Sequence, residues 1–165
     1  MELYLIRHGI AAPRDGTYPD DRDRPLTDQG RQKTHAIAQR LKTLHWHVDH
    51  LRSSPLVRAW QTAEIFLETG LCPQIDADPT LAPDGNLHDW LAWYAQWPDA
   101  PTTDRLAIVG HEPNLSEWTA QLMGNAAKAT IALKKAGIIG LALPEEGSPV
   151  GRSQLFWLTP PRLFL

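Results

Sequence analysis

Three strand-like stretches of this chain run straight into polar residues suited to binding an anion, and each leads on to a turn or a helix start. Residues 3–6 (LYLI) lead into Arg7-His8-Gly9, residues 48–52 into Ser53-Ser54-Pro55, and residues 106–109 (LAIV) into Gly110-His111. Short continuous apolar runs bounded by turn residues read as strands buried on both faces, which requires helices on both sides of the sheet.

Helical patterns fall between these strands. Thr27 is a good N-cap for a helix whose Ile37, Leu41 and Leu44 share one face, although Gly30 and Thr34 weaken its first turns. Ser54 followed by Pro55 reads as an N-cap with proline at the first helical position. That helix carries Leu56, Ala59, Trp60, Ala63 and Leu67 on one side until Gly70 stops it. Asn86 caps a third helix with Leu87, Trp90, Leu91 and Tyr94 at helical spacing, ending before Pro98, and Pro113 restarts a fourth. Residues 137–143 and 154–159 read as two closing strands separated by a turn-rich segment. The alternation predicts an α/β protein, a three-layer α/β/α sandwich with a central, mainly parallel sheet edged by the last two strands. One domain over residues 1–165 without a cap domain is the expected organisation.

Ligands of such sheets bind beyond the carboxyl ends of the strands, so Arg7-His8, Ser53-Ser54 and Gly110-His111 should open onto one rim. Arg58, in the first turn of the second helix, joins them. The connection over residues 9–25, broken by Pro13, Gly16, Pro19 and Pro25, is longer than ordinary loops and is expected to be functional.

Arg7 and Arg58 with His8 and His111 make a pocket suited to a phosphoryl group, because guanidiniums present paired donors to its oxygens and helix N-termini add oriented amides. A neutral imidazole could serve as nucleophile, with charge neutralised by side chains rather than by magnesium. Overall charge points elsewhere: 16 Lys plus Arg against 19 Asp plus Glu give −3, so neither nucleic acid nor an anionic membrane is an expected partner. Arg7 cuts the apolar N-terminus too short for a signal-peptide core, and the single Cys72 cannot form an internal disulfide. A soluble, cytoplasmic protein is expected.

The same residues carry a resemblance. L-x-x-x-R-H-G at residues 3–9, R-P-L-T-x-x-G at 24–30, S-P-L-x-R-A-x-Q-T at 54–62 and V-G-H-x-P at 109–113 resemble the histidine phosphatase superfamily, in order and over nearly the whole chain. More narrowly, they are similar to the small phosphohistidine phosphatases of the SixA type. The resemblance implies that His8 takes the phosphoryl group, that Arg7, Arg58 and His111 bind its oxygens, and that Arg24 is a further pocket arginine. It implies turnover without metal or organic cofactor, on a phosphohistidine-bearing protein such as a histidine phosphotransfer domain or phosphotransferase-system carrier. The general acid is open between Asp84 and Glu112, because Asn86 stands where SixA-like chains can carry Asp.

Blander readings compete for several of these residues. Arg24 can simply pair with Asp20, Asp21 or Asp23, Asp84 can serve a D-G turn, and Glu112 can sit as a carboxylate near a helix N-terminus. Gln61 and Thr62 read as structural, and Gly9 as a residue permitting a tight turn. His45, His47 and Asp49 would share one strand face as a metal site, but solvated histidines are the preferred reading. Trp90, Trp93 and Trp97 read as core. A small-molecule phosphomonoesterase and a non-catalytic phosphoprotein-binding module are the alternatives to a protein-phosphohistidine phosphatase.

Overall fold

The structure, a computed structural model, describes residues 1–97, 104–124 and 131–165. Strands β1 (Glu2–Arg7), β2 (His50–Ser53), β3 (Asp76–Ala77), β4 (Arg105–Gly110), β5 (Ile138–Ala142) and β6 (Gln154–Thr159) form one sheet in the order β3-β2-β4-β1-β5-β6. The first four run parallel, while β5 pairs antiparallel with β1 and β6 antiparallel with β5. Helices α1 (Asp28–Thr43) and α2 (Val57–Thr69) cover one face, and α3 (Leu87–Ala95) and α4 (Asn114–Leu122) the other. The expected three-layer sandwich is the observed one.

Period-two alternation divides the core. Tyr4, Ile6, Ala107 and Val109 face Ile37, Leu41, Ala63 and Phe66, whereas Leu3, Leu5, Leu106 and Ile108 face Trp90, Leu115 and Trp118. Every one of these side chains is buried. That two-sided burial is why β1 and β4 read as continuous apolar runs. Trp90 is fully buried, but Trp93 and Trp97 are only partly so; Trp93 packs under the Arg52 guanidinium at 4.0 Å and Trp97 against His50.

Several expectations need correction. Leu44 lies beyond the last turn of α1 and is half exposed, so it does not extend the buried stripe. Ser54 does not cap α2: its amide continues the sheet by donating to the Val109 carbonyl, and its hydroxyl accepts the Leu56 amide, so the helix begins at Val57. Of the side of α2 expected to be buried, Leu56, Ala59 and Ala63 are buried as expected, but Leu67 is exposed, and Arg58, Thr62 and Phe66 complete the buried face. Strand β3 has no sequence signal because its two residues are exposed and held only by backbone pairing to Arg52 and Ser53. The His45, His47 and Asp49 set is not a ligand cluster: Asp49 accepts the Arg105 amide at 2.9 Å. Among the described residues no group of three or more His, Cys, Asp or Glu side chains is placed to hold a metal. No helix among them is long and apolar enough to cross a membrane.

Gly30 has a packing role that outweighs its low helix propensity. Thr27, the observed N-cap of α1, donates its amide to the Ile10 carbonyl, and a Cβ on Gly30 would overlap that carbonyl. Gly30→Ala should therefore destabilise the protein by about 1–3 kcal/mol, the usual scale of overpacking, where a free helix would gain from alanine. Denaturant unfolding measures this; an unchanged midpoint would show that the contact can relax.

Candidate active site

The register of the sheet sets the rim. Arg7 lies beside Gly110, and Ser53 beside Val109, so β1, β2 and β4 end at one level. One more backbone bond beyond the ladder, from His8 to the Gly110 carbonyl at 3.1 Å, holds His8 at the mouth. The Ala136 amide, held at φ +59, donates to the carbonyls of both Arg7 and His8, so the strand end is gripped from the β5 side as well.

His8 is 7% exposed, and its Nδ1 lies 2.7 Å from the Gly9 carbonyl oxygen. A carbonyl only accepts, so the proton sits on Nδ1 and the lone pair on Nε2. Burial, reinforced by the charges of Arg58 and Arg7 and only partly offset by the Gly9 hydrogen bond, lowers the imidazole to about 3. Gly9 is required by space and not by an unusual φ: a Cβ there would meet Thr34 Oγ1 at 2.6 Å. Its amide donates to Thr62 Oγ1, which donates in turn to the Arg58 carbonyl; Gln61 Oε1 accepts the Leu26 amide. Gln61 and Thr62 are structural, tying the loop to α2.

Arg58 is 1% exposed, and both its terminal nitrogens donate to Asp21, one to the carbonyl at 2.7 Å and one to Oδ2 at 2.9 Å. Oδ1 of the same carboxylate accepts Nε of Arg24 at 2.7 Å and Nε of Arg14 at 2.8 Å. Burial would raise the Asp21 carboxyl, but the hydrogen bonds from Arg24 and Arg14 and the charge of Arg58 hold it well below the ordinary range. Arg24 thus satisfies both of its readings: it pairs with Asp21 and also lines the pocket. Arg7 donates to the Leu133 carbonyl at 2.8 Å.

His111 is 3% exposed, its ring centroid 5.1 Å from that of His8, and its Nε2 lies 2.8 Å from Ser54 Oγ. Ser54 Oγ also accepts the Leu56 amide, and as a hydroxyl it can either donate to or accept from His111 Nε2, while His111 Nδ1 is buried with no hydrogen-bond partner among the described residues. Burial, then the nearby His8 and Arg58, lower this imidazole to about 3 as well.

A pocket of about 380 Å³ collects Arg7, His8, Arg24, Arg58, His111 and Glu112. Burial raises the Glu112 carboxyl against the opposing hydrogen bonds of Ser116 and the charge of Arg7. Asp84 is not among the lining residues: it is exposed, at a turn held by Asn114 Nδ2 donating to the Ala82, Pro83 and Gly85 carbonyls, and it faces a separate depression. Asn86 caps α3 by accepting the Asp89 amide. The structure adds Asp21, Arg14 and Lys135 to the vicinity. Asp21 was one of three equivalent loop aspartates in the sequence; Lys135 carried no signal, because it arrives only through the turn that clamps β1.

Two measurements check these electrostatics. Both imidazoles bind a proton more weakly folded than at their ordinary value of 6.5. Their contribution to stability is therefore complete above that value and lost as pH falls toward about 3, where the unfolded chain takes up protons the folded one resists. The His8 and His111 NMR signals should stay flat between pH 5 and 8, and stability to denaturant should decline on acidification through that lower window; a midpoint near 6.5 for either ring would contradict the burial argument.

The model of the histidine phosphatase superfamily (branch 1) matches residues 3–82. An uncharacterized protein of Picosynechococcus sp. PCC 7002 is 44% identical over 171 aligned residues, covering 100% of this chain and 99% of that one. Among solved structures, the protein histidine phosphatase SixA complexed with tungstate superposes with TM-score 0.83 at 24% identity over 100% of both chains. The alpha-ribazole phosphatase of Shigella flexneri does so with TM-score 0.68 at 20% identity, covering 98% of this chain and 97% of that one. With the family model matched over residues 3–82 and the ordered motifs and the fold in agreement with it, the chain belongs to the histidine phosphatase superfamily.

Proposed function

We propose that this protein is a cytoplasmic, metal-independent protein-phosphohistidine phosphatase acting through a phosphohistidine on His8. The observation that carries the reading is the Nδ1 hydrogen bond to the Gly9 carbonyl, which leaves a neutral Nε2 lone pair in a pocket lined by Arg7, Arg14, Arg24 and Arg58. In this reading Arg7, Arg24, Arg58 and His111 hold the phosphoryl oxygens. Nε2 of His8 attacks phosphorus in line as the P–N bond to the substrate imidazole breaks; that imidazole, already protonated on its other ring nitrogen, takes the bonding electron pair and leaves neutral, while His8 keeps the proton on Nδ1. Water then attacks the phosphorus on His8, releasing inorganic phosphate and restoring the free ring. Catalysis is positioning plus electrostatics supplied by fixed donors. The likeness to SixA supports the substrate class. The phosphorylated partner is then a histidine phosphotransfer domain or phosphotransferase-system carrier.

A small-molecule phosphomonoesterase is the second reading, favoured by Glu112: its raised carboxyl can protonate an alkoxide leaving group, which an imidazole does not need to the same degree. The likeness to an alpha-ribazole phosphatase is on the same side.

Comparing a phosphorylated histidine phosphotransfer domain with a panel of phosphomonoesters, in EDTA, separates the two. The proposal expects the carrier to be strongly preferred, with Glu112→Gln slowing phosphomonoesters by roughly 100-fold or more and the carrier by far less. Preference for an alkyl phosphate, or an equal loss on both, would support the second reading; activity lost in EDTA and restored by a metal would contradict metal independence. Arg58→Ala should cost about 2.7 to 4 kcal/mol in transition-state stabilisation if the guanidinium acts as a preorganised donor. Asp21→Asn should lower kcat/KM by roughly 100-fold through misplacement of the arginines and weaken inhibition by inorganic phosphate in parallel. Full activity in either variant would remove that residue from the machinery.

A further inference from the structure

Beside the catalytic pocket lies a second, larger depression of about 780 Å³ that shares Arg7 and Lys135 with it. Its apolar surface comes from Ile10, Leu133, Leu158, Pro160 and Leu165. Leu158 and Leu165 are about half exposed, a large apolar area to leave in water. Among the described residues its charged lining is Arg7, Lys33, Lys134, Lys135 and Arg162, with no Asp or Glu, on a chain whose net charge is −3. None of Lys33, Lys134, Lys135 and Arg162 has a carboxylate partner among the described residues. The volume is twice that of the phosphoryl pocket, so the depression is larger than the transferred group needs.

We infer that this groove docks an acidic, apolar surface segment of the phosphorylated protein, flanking the histidine whose phosphoryl group enters the catalytic pocket. The inference rests on the functional reading above and names how that substrate is held. Continuity fixes the occupant: a molecule filling both depressions must carry its phosphoryl group past Arg7 and Lys135 and continue as apolar surface with negative charge around it. A second copy of this chain would bring the same cations against themselves, which costs affinity. The groove therefore discriminates between a phosphohistidine on a suitable protein and the same group on a small molecule.

The test uses the full chain and a double substitution, Lys33→Glu with Arg162→Glu, at exposed positions outside the catalytic pocket. Two substrates are compared: a phosphorylated histidine phosphotransfer domain and free phosphohistidine. The KM for the domain should rise by roughly tenfold with kcat within about twofold, while free phosphohistidine kinetics stay unchanged. Added salt should raise the wild-type KM for the domain more than the variant's. An unchanged KM for the domain, or an equal loss on both substrates, overturns the groove. So does a wild-type protein that hydrolyses free phosphohistidine as efficiently as the domain. Binding of the wild type to phosphatidylserine vesicles, or dimerisation, abolished by the double substitution while the KM for the domain holds, would assign the groove to lipid or to a second copy and overturn the inference. A wild-type protein that hydrolyses neither histidine substrate overturns the functional reading itself, and that result is distinct from any effect confined to the variant.

Discussion

A guanidinium buried as deeply as that of Arg58 needs a counter-charge, and among the described residues Asp21 supplies it. The carboxylate gathers Arg24 and Arg14 at the same time, so three cations are held near one another by one anion on the loop between β1 and α1. This explains why that loop is long and ordered at its base, where Ala11 pairs with Leu26 and the Ala12 amide donates to the Pro25 carbonyl. The loop delivers a carboxylate to the back of the arginines, leaving the front of the pocket strongly positive. The concentration of positive charge has a second consequence, because it helps burial keep both histidines neutral.

Position in the sheet supplies the remainder. Two-sided burial fixes β1 and β4 in the middle of the sandwich, where a shift by one residue would exchange every core side chain between layers. His8 and His111 inherit that rigidity, each standing one residue past a central strand. Of the polar contacts around them, Gly9 to Thr62 connects the end of β1 to α2, and Ser54 to His111 connects the end of β2 to that of β4. The structure is rigid where the chemistry is proposed to occur and open in the groove alongside.

Much of this was legible in the residues. The central strands, the sheet order at its edge, the Thr27 and Asn86 caps and the meeting of Arg7, His8, Arg58 and His111 at one rim follow from apolar runs and from the placement of turn residues. What was not legible depends on contacts distant in sequence. Ser54-Pro55 has the local form of a helix start, yet Ser54 is drawn into the sheet and toward His111. Asp21 could not be told from Asp20 and Asp23, since only the fold places it behind Arg58. Lys135 comes to the pocket through the β5 side, and which of Asp84 and Glu112 lines the pocket depends on the way a short turn faces.

The account stands on His8 as the group that accepts phosphorus through Nε2. Rapid quenching at alkaline pH during turnover of a phosphorylated histidine phosphotransfer domain, followed by peptide mapping, measures this directly. The expected result is one acid-labile phosphoryl group on His8, bonded at Nε2 and absent from a His8→Asn variant that no longer turns over. A phosphoryl group on any other residue, or undiminished hydrolysis by His8→Asn, would contradict it.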